Sequence, residues 1–293
     1  DLLAPALSSL GYNIHLLREC TEHTVEVGLK YVNNDACYPA IITTGQMIEA
    51  LQSGKFDINR TAIIMSQTGG GCRATNYMAF IRKALKDAGF AHVPLVSFNI
   101  AGLEKASGFK ITPKMVDKLL RCVVYGDLLQ KMLYRNRPYE VNKGETKALF
   151  DKWMEKSADL IINGNYKDYK KSMYDIVNDF EKIKLNTTIK KPKVGIVGEI
   201  LIKYHPFGNN FVADKLEAEG AEVVLPDFMG FLKFICTHKI TFNTLLNRNK
   251  TSSKIFKVVI KLIGILERDM KKALAKSKKG YLPVCDIMAL EDN

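Results

Sequence analysis

The chain has 293 residues, of which 47% are hydrophobic and 25% charged, and its formal net charge is +12. This composition predicts a folded globular protein, and the length suffices for two domains of ordinary size. No apolar run reaches the ~18 residues of a membrane-spanning helix, no signal-peptide pattern opens the chain, and the six cysteines form no disulfide framework. We therefore expect a protein of the reducing cytoplasm.

Strand-like and helical segments alternate through the first part of the chain. A strand is predicted at 12–17, a helix at 40–51, a strand at 61–66, a helix at 74–88 and a strand at 94–98. Alternation at this interval is typical of a parallel sheet with helices on both faces. We expect an α/β domain over residues 1–111.

The pattern changes to helical over 112–184, where apolar side chains recur at core spacing. A basic linker at 190–193 follows, and a second strand–helix–strand unit is predicted at 194–198, 209–218 and 221–225. The sequence thus predicts an α/β fold with two Rossmann-like parallel-sheet domains and a helical connecting segment. The predicted bounds are 1–111, 112–190 and 191–293, with the last domain truncated.

Cys72 lies where a predicted strand ends and a predicted helix begins, directly after three glycines. Glycines such as Gly70 and Gly71 let backbone and ligand approach closely. The partial positive charge at a helix N-terminus favours a thiolate, which can be a metal ligand or a nucleophile. The alternative is a small residue that closes a tight turn.

Cys37 occupies a similar junction before the helix predicted at 40–51. Loops at one end of the strands converge in an α/β sheet, so Cys37 and Cys72 are expected to lie together. Two convergent thiolates suit an iron–sulfur cluster or zinc better than a lone nucleophile. Cys20 is the next candidate ligand, whereas Cys122 falls on the apolar face of a helix and is expected in the core.

Three longer motifs carry a resemblance to a known family. They are Asn-Asn-Asp-Ala-Cys-Tyr-Pro-Ala at 33–40, Gln-Thr-Gly-Gly-Gly-Cys-Arg at 67–73, and Gly-Glu-Ile at 198–200 with Tyr-His-Pro-Phe-Gly-Asn-Asn at 204–210. With these motifs the chain resembles the 2-hydroxyacyl-CoA dehydratase family, and within it the branch related to the acyl-CoA dehydratase activases. The resemblance runs over nearly the whole chain.

The resemblance implies stacked Rossmann-like domains around a cubane cluster, [4Fe-4S] or larger. Cys37 and Cys72 match two of the family's cluster ligands. The third ligand is expected outside this chain, because neither Cys236 nor Cys285 lies in a matching motif, and we expect the chain to be a fragment of a longer protein. Members of the family take single electrons from an ATP-hydrolysing activator and use them in reductive or radical chemistry.

Residues near the motif cysteines, together with one loop histidine, are candidates for cofactor binding: Gln67, Thr68, Gly70, Gly71, Arg73 and His205. Hydrogen bonds to cluster sulfurs, and a nearby cation, raise a reduction potential. A surface ion pair is the alternative for Arg73, and a structural role in a polar loop is the alternative for His205. The polar run at 135–140 is expected to lock the helical segment onto a sheet.

A row of lysines between 250 and 279 raises the question of nucleic-acid binding. The lysines alternate with apolar residues, as in an amphipathic helix with a solvated basic face, and no nucleic-acid module accompanies them. We expect neither a nucleic-acid nor a membrane partner. The basic face can instead guide an acidic electron donor or the phosphates of a CoA ester. No P-loop motif occurs, which excludes that type of ATP site in this chain.

These observations favour the iron–sulfur-cluster-binding region of a dehydratase-like protein that acts on a small or CoA-ester substrate. Two activities are compatible with this interpretation, that of a hydro-lyase and that of an ATP-dependent reductase component. The partners left open are a second copy of the chain, in a dimer, and the rest of a longer parent chain. Two alternatives remain, namely a non-catalytic electron-transfer or scaffold module and a cluster-free α/β binding domain. Oxygen sensitivity and an anaerobic setting would accompany the cluster.

Overall fold

The computed structural model describes residues 1–66, 73–98 and 112–281. In chain order, the helices are α1 (Leu3–Ser8), α2 (Glu22–Tyr31), α3 (Tyr38–Gln52), α4 (Tyr77–Asp87), α5 (Pro113–Asn136), α6 (Glu145–Asn163), α7 (Tyr166–Glu181), α8 (Ile200–Tyr204), α9 (Val212–Ala218), α10 (Phe228–Leu245) and α11 (Lys250–Ala275). The strands are β1 (Ile63–Ser66), β2 (Leu95–Phe98), β3 (Lys193–Gly195) and β4 (Glu222–Val224). Short 3-10 helices cover Ile58–Arg60, Arg73–Asn76 and Arg137–Tyr139.

The chain divides into two compact units. The larger unit comprises 1–14, 112–197 and 213–293, and the smaller unit comprises 15–111 and 198–212. The smaller unit therefore takes its last segment from a distant part of the chain.

In the smaller unit, β1 and β2 pair in parallel, with Ile63 opposite Leu95 and Ser66 opposite Phe98. The helices α2, α3 and α4 surround an apolar core that includes Val27, Ile41, Met47, Ile48, Leu51, Ile81 and Leu85. The start of α2 is set by a capping box between Thr21 and Thr24, which satisfies two backbone N–H groups. Parallel pairing places the carboxyl ends of both strands on one edge of the sheet.

Two glycines allow α2 and α3 to cross at very short range. A Cβ atom on Gly45 would come well under 3.0 Å from the carbonyl oxygen of Thr24, and one on Gly28 equally close to that of Ile41. Neither contact can be relieved by rotating a side chain, because both involve backbone atoms. The crossing therefore depends on the missing side chains of these two residues.

The larger unit is built around the long helix α5. Thr112 caps the helix by accepting a hydrogen bond from the Met115 N–H at 3.2 Å, and Pro113 occupies the first turn, where no intrahelical donor is lost. Its buried face packs with α6, α7, α10 and α11 around residues that include Tyr125, Leu128, Leu129, Met132, Trp153, Tyr169, Met173, Phe180, Ile263 and Met270. The helical segment predicted at 112–184 is confirmed as α5, α6 and α7.

Polar contacts join the hairpin of α10 and α11 to this core. The carboxylate of Asp127 in α5 accepts hydrogen bonds from the N–H groups of Phe228 and Met229, both at 2.8 Å, and so satisfies donors at the start of α10. Inside the hairpin, Lys233 of α10 and Glu267 of α11 form a fully buried ion pair at 3.0 Å. Asp127 thus ties the start of α10 to α5, and the Lys233–Glu267 pair ties α10 to α11.

The polar run at 135–140 locks α5 onto the small sheet of β3 and β4, as predicted. Glu222 of β4 accepts hydrogen bonds from Arg135 Nη1 at 3.4 Å and from the Tyr139 hydroxyl at 2.8 Å. Arg137 pairs with Glu217 at 2.7 Å and with Asp214 at 3.0 Å. These residues are therefore occupied by structural contacts within the larger unit.

The predicted fold class is wrong. In the described ranges the chain is mostly helical, and its sheets are two separate parallel pairs, β1 with β2 and β3 with β4. The strands predicted at 61–66, 94–98, 194–198 and 221–225 are present in shortened form. They do not build two Rossmann-like parallel-sheet domains.

Two segments account for the error. The predicted strand at 12–17 forms no regular structure. Its side chains are exposed or partly buried, and the segment belongs to neither of the two described sheets. The region expected to complete a second α/β domain instead forms the helices α10 and α11. Sheets of two strands are too small to organise a core, and helices supply most of the buried surface.

None of the described helices combines the length and the apolar character needed to cross a bilayer.

Candidate cysteine site

Cys37 lies at the N-cap of α3, in extended backbone conformation and half-buried. Pro39 lies in the first turn of this helix and preorganises it. The Sγ atom of Cys37 lies 3.3 Å from the hydroxyl oxygen of Tyr77, the first residue of α4, and either group can be the donor. The thiol therefore lies at the N-terminus of α3 and within hydrogen-bonding distance of a buried tyrosine hydroxyl.

Tyr77 is a site residue that the motifs did not reveal. Its side chain is buried, with 4% of its surface exposed, so its hydroxyl requires a polar partner. The sequence did contain a signal: Tyr77, Ile81 and Leu85 share the buried face of an amphipathic helix, and a tyrosine on such a face directs its hydroxyl toward a hidden acceptor or donor.

Cys72 and its neighbours Gln67, Thr68, Gly70 and Gly71 lie outside the described residues, and so does the side chain of Arg73. Their roles stay predictions. The 3-10 helix at Arg73–Asn76 leads directly into Tyr77, the hydrogen-bond partner of Cys37.

Cys20 is a poorer ligand candidate than Cys37. It precedes Thr21, the N-cap of α2, and it is partly buried. Burial raises the pKa of the Cys20 thiol, an effect that a hydrogen bond with Thr24 only partly offsets. The raised pKa keeps this sulfur protonated at neutral pH, which disfavours metal binding.

The loop that carries His205 belongs to the same unit as Cys37. Nδ1 of His205 accepts a hydrogen bond from the Gly208 N–H at 3.0 Å, and burial lowers the pKa of the imidazole. The ring is therefore neutral at pH 7 and carries its proton on Nε2, where it can donate. This geometry agrees with the expected role of His205 as a hydrogen-bond donor, and also with a structural role.

Close packing brings this loop against α3. A Cβ on Gly208 would lie 3.0 Å from Ile202 Cδ1 and 3.4 Å from Ile42 Cδ1, and Ile42 is fully buried in α3. Asn209 fastens the loop, since its Nδ2 donates to Ile202 O at 3.0 Å and its Oδ1 accepts from Val212 N at 3.2 Å. The loop is thus held against the helix that begins just after Cys37.

The remaining described cysteines lie in the larger unit and are unsuited to bind a metal. Cys122 is buried, donates to Leu2 O at 3.4 Å and has a pKa raised to about 12 by burial, which confirms the predicted core position. Burial also raises the pKa of Cys236 in α10. Cys285 lies outside the described ranges.

A cubane cluster needs several thiolates around one centre. Within 1–66, 73–98 and 112–281, no three His, Cys, Asp or Glu side chains are grouped so that they could hold a metal ion. Of the predicted ligand pair, Cys37 lies in the described residues. It is half-buried, and the neighbouring Tyr77 hydroxyl is able to donate to a sulfur ligand.

Comparison of the chain with protein-family models, with curated proteins and with solved structures finds no match.

Proposed function

We propose that the chain is the iron–sulfur-cluster-binding region of a protein similar to 2-hydroxyacyl-CoA dehydratases. Cys37 and Cys72 are its thiolate ligands, and further ligands come from outside the described residues. The observation that carries the proposal is the contact between Cys37 Sγ and Tyr77 Oη at 3.3 Å, because Tyr77 opens the helix into which the chain segment after Cys72 leads.

The described residues have separate tasks in this proposal. The N-cap position of Cys37 holds its sulfur at the start of α3. Tyr77 donates a hydrogen bond to the coordinating sulfur, and the neutral His205 offers its Nε2–H to substrate or cluster. A bound cluster supplies single low-potential electrons for reductive chemistry. The residues around it set its potential through hydrogen bonds and limited access of water.

The proposal includes an ATP-hydrolysing activator as electron donor and a small or CoA-ester substrate, both on the strength of the motif resemblance. It also includes an anaerobic, cytoplasmic setting, because reduced clusters of low potential and free thiols survive there. Partners in a longer parent chain complete the cluster site.

The test is iron and acid-labile sulfide after anaerobic reconstitution of the chain and of its longest natural form. Cys37→Ala and Cys72→Ala are each expected to lose most of the bound iron. Cys20→Ala is the matched control, since Cys20 lies in the same unit and has a raised pKa. Equal iron in the wild-type protein and the double variant, in both chain lengths, would refute the cluster. If a cluster is bound but its spectrum does not change on addition of acyl-CoA esters, the result would favour an electron-transfer module.

A further inference from the structure

The helix α11 exposes a line of large apolar side chains. Ile255, Val258, Leu262 and Ile265 are 59%, 56%, 51% and 40% exposed. Their spacing of three, four and three residues places them on one stripe about 15 Å long, as at the a and d positions of a coiled coil. We call these four residues the α11 seam.

The seam is distinct from the face by which α11 packs on its own unit. That face contains Ile263, Leu266 and Met270, all buried in the core of the larger unit. The seam lies beside it on the helix surface, on the solvent side. Soluble proteins rarely leave four aligned aliphatic side chains in water without a partner for them.

Positive charge lines the other edge of the seam. Lys254, Lys257 and Lys261 are exposed and, at 100° per residue, follow the side of the seam that faces away from the core. Among the described residues these three lysines have no ion-pair partner. In the sequence, no Asp or Glu occurs between Asp227 and Glu267, so the surrounding hairpin offers no compensating carboxylate from its own helices.

This charge distribution distinguishes between the partners that could bind to the seam. A second copy of the chain would bring an identical row of lysines to the interface, and like charges there oppose association. A lipid surface takes up a broad apolar helix face, whereas the seam is one narrow stripe between the buried face of α11 and its lysines. A partner helix requires the three–four register of the seam, and acidic residues beside its own apolar stripe would complement Lys254 and Lys261.

We propose that the α11 seam docks an amphipathic helix of a partner protein whose residues beside its apolar stripe are acidic. The interaction is independent of the cluster proposal, because it uses the larger unit alone. In this interaction the excess positive charge of the hairpin attracts the acidic residues of the partner helix.

The test uses two synthetic helical peptides of three heptads with leucine at a and d, one with glutamate and one with lysine at e and g. Binding to the whole chain is measured by fluorescence anisotropy at low ionic strength. The glutamate peptide is expected to bind at least about tenfold more tightly than the lysine peptide, and added salt should weaken it.

Three variants make the assignment specific to the seam. Leu262→Glu should abolish binding of the glutamate peptide, and Lys254→Glu/Lys261→Glu should reverse the preference toward the lysine peptide. Val141→Glu is the matched control, because Val141 is 57% exposed outside the hairpin and should leave binding unchanged. Circular dichroism confirms that each variant is folded.

Other outcomes would overturn the proposal. Equal binding of both peptides, or equal loss in Val141→Glu, would show that the seam does not select a partner helix. A dimer of the chain that Leu262→Glu dissociates would assign the seam to a second copy. Binding to phosphatidylserine vesicles through the seam, with no peptide binding, would assign it to a lipid surface.

Discussion

The Sγ atom of Cys37 lies 3.3 Å from the hydroxyl of Tyr77, although forty residues separate the two in the chain. One residue caps the start of α3 and the other opens α4, so the contact joins the N-terminal ends of two helices. The sulfur thus has the buried Tyr77 hydroxyl as its hydrogen-bond partner. Either group can donate, and towards a metal-bound sulfur the hydroxyl would be the donor.

Replacing Tyr77 by phenylalanine removes this donor with little change in packing. In the reconstituted protein we expect Tyr77→Phe to shift the cluster to a more negative reduction potential, because hydrogen bonds to sulfur ligands raise the potential. The stability loss should be about 1 kcal/mol. Potentiometric titration followed by electron paramagnetic resonance measures the shift. Tyr38→Phe is the control, since Tyr38 is 40% exposed; equal potentials in all three proteins would contradict the role of Tyr77.

Because α2 and α3 cross so closely, we expect glycine-to-alanine substitutions at different positions to have opposite effects on stability. Gly45→Ala and Gly28→Ala force a Cβ onto backbone atoms and should each destabilise the protein by about 1–3 kcal/mol or more. Gly126→Ala in α5 and Gly264→Ala in α11 meet nothing within 4 Å and should stabilise it by about 0.5–1 kcal/mol. Urea unfolding of the four variants measures whether each substitution raises or lowers the free energy of unfolding. Four losses of similar size would argue against the close crossing.

The ion pair of Lys233 and Glu267 is buried, with side chains 4% and 1% exposed. Lys233→Met removes the main partner of the Glu267 carboxylate and leaves it with Lys271 at 3.4 Å. We therefore expect the free energy of unfolding to fall by about 3 kcal/mol. The double variant Lys233→Met/Glu267→Leu should recover most of this loss, because both charges of the pair are removed. Thermal unfolding at fixed pH gives both values.

A surface pair in the same unit serves as the control for this experiment. Lys147 and Asp151 are each 53% exposed, and Lys147→Met should change stability by less than about 1 kcal/mol. If both single variants had similar small effects, the hairpin would not depend on its buried pair.

Asp127 makes stability depend on pH. Burial, together with the neighbouring Asp227, raises its pKa from 3.8 to about 7, against the opposing effect of two backbone donors. Because the folded-state pKa exceeds the unfolded value, this group contributes stability below about pH 4, and the contribution is lost as pH rises through about 7.

Asp127→Asn should remove this slope of stability between about pH 4 and 7. It should also cost about 1 kcal/mol at low pH, since one amide oxygen replaces the two oxygens that accept from Phe228 and Met229. Denaturation at a series of pH values tests both effects. Asp151→Asn, at an exposed position, is the control; an unchanged slope in Asp127→Asn would place the titration elsewhere.

Local signals in the sequence predicted many elements correctly. The apolar spacing over 112–184 predicted the helical segment that α5 to α7 confirm. The strands at β1 and β2 were likewise found near their predicted positions. Such signals depend on neighbours within a few residues, which the sequence displays directly.

Strand partners could not be obtained in this way. The alternating residues at 12–17 satisfy the pattern of a strand, yet they form no strand in the structure, and their side chains are exposed or only partly buried. Whether a strand-like segment joins a sheet depends on what packs beside it. For the same reason the predicted fold class was wrong, although several short strands were found near their predicted positions.

The sequence by itself determined that Cys37 precedes a helix and that α11 has a lysine-rich face. Only the tertiary structure decided that Tyr77 meets Cys37, that Glu267 is buried against Lys233, and that the α11 seam stays in solvent. The physical reason is distance along the chain. Helix starts and amphipathic faces follow from residues within one or two turns, whereas side-chain partners and burial depend on which distant segments pack together.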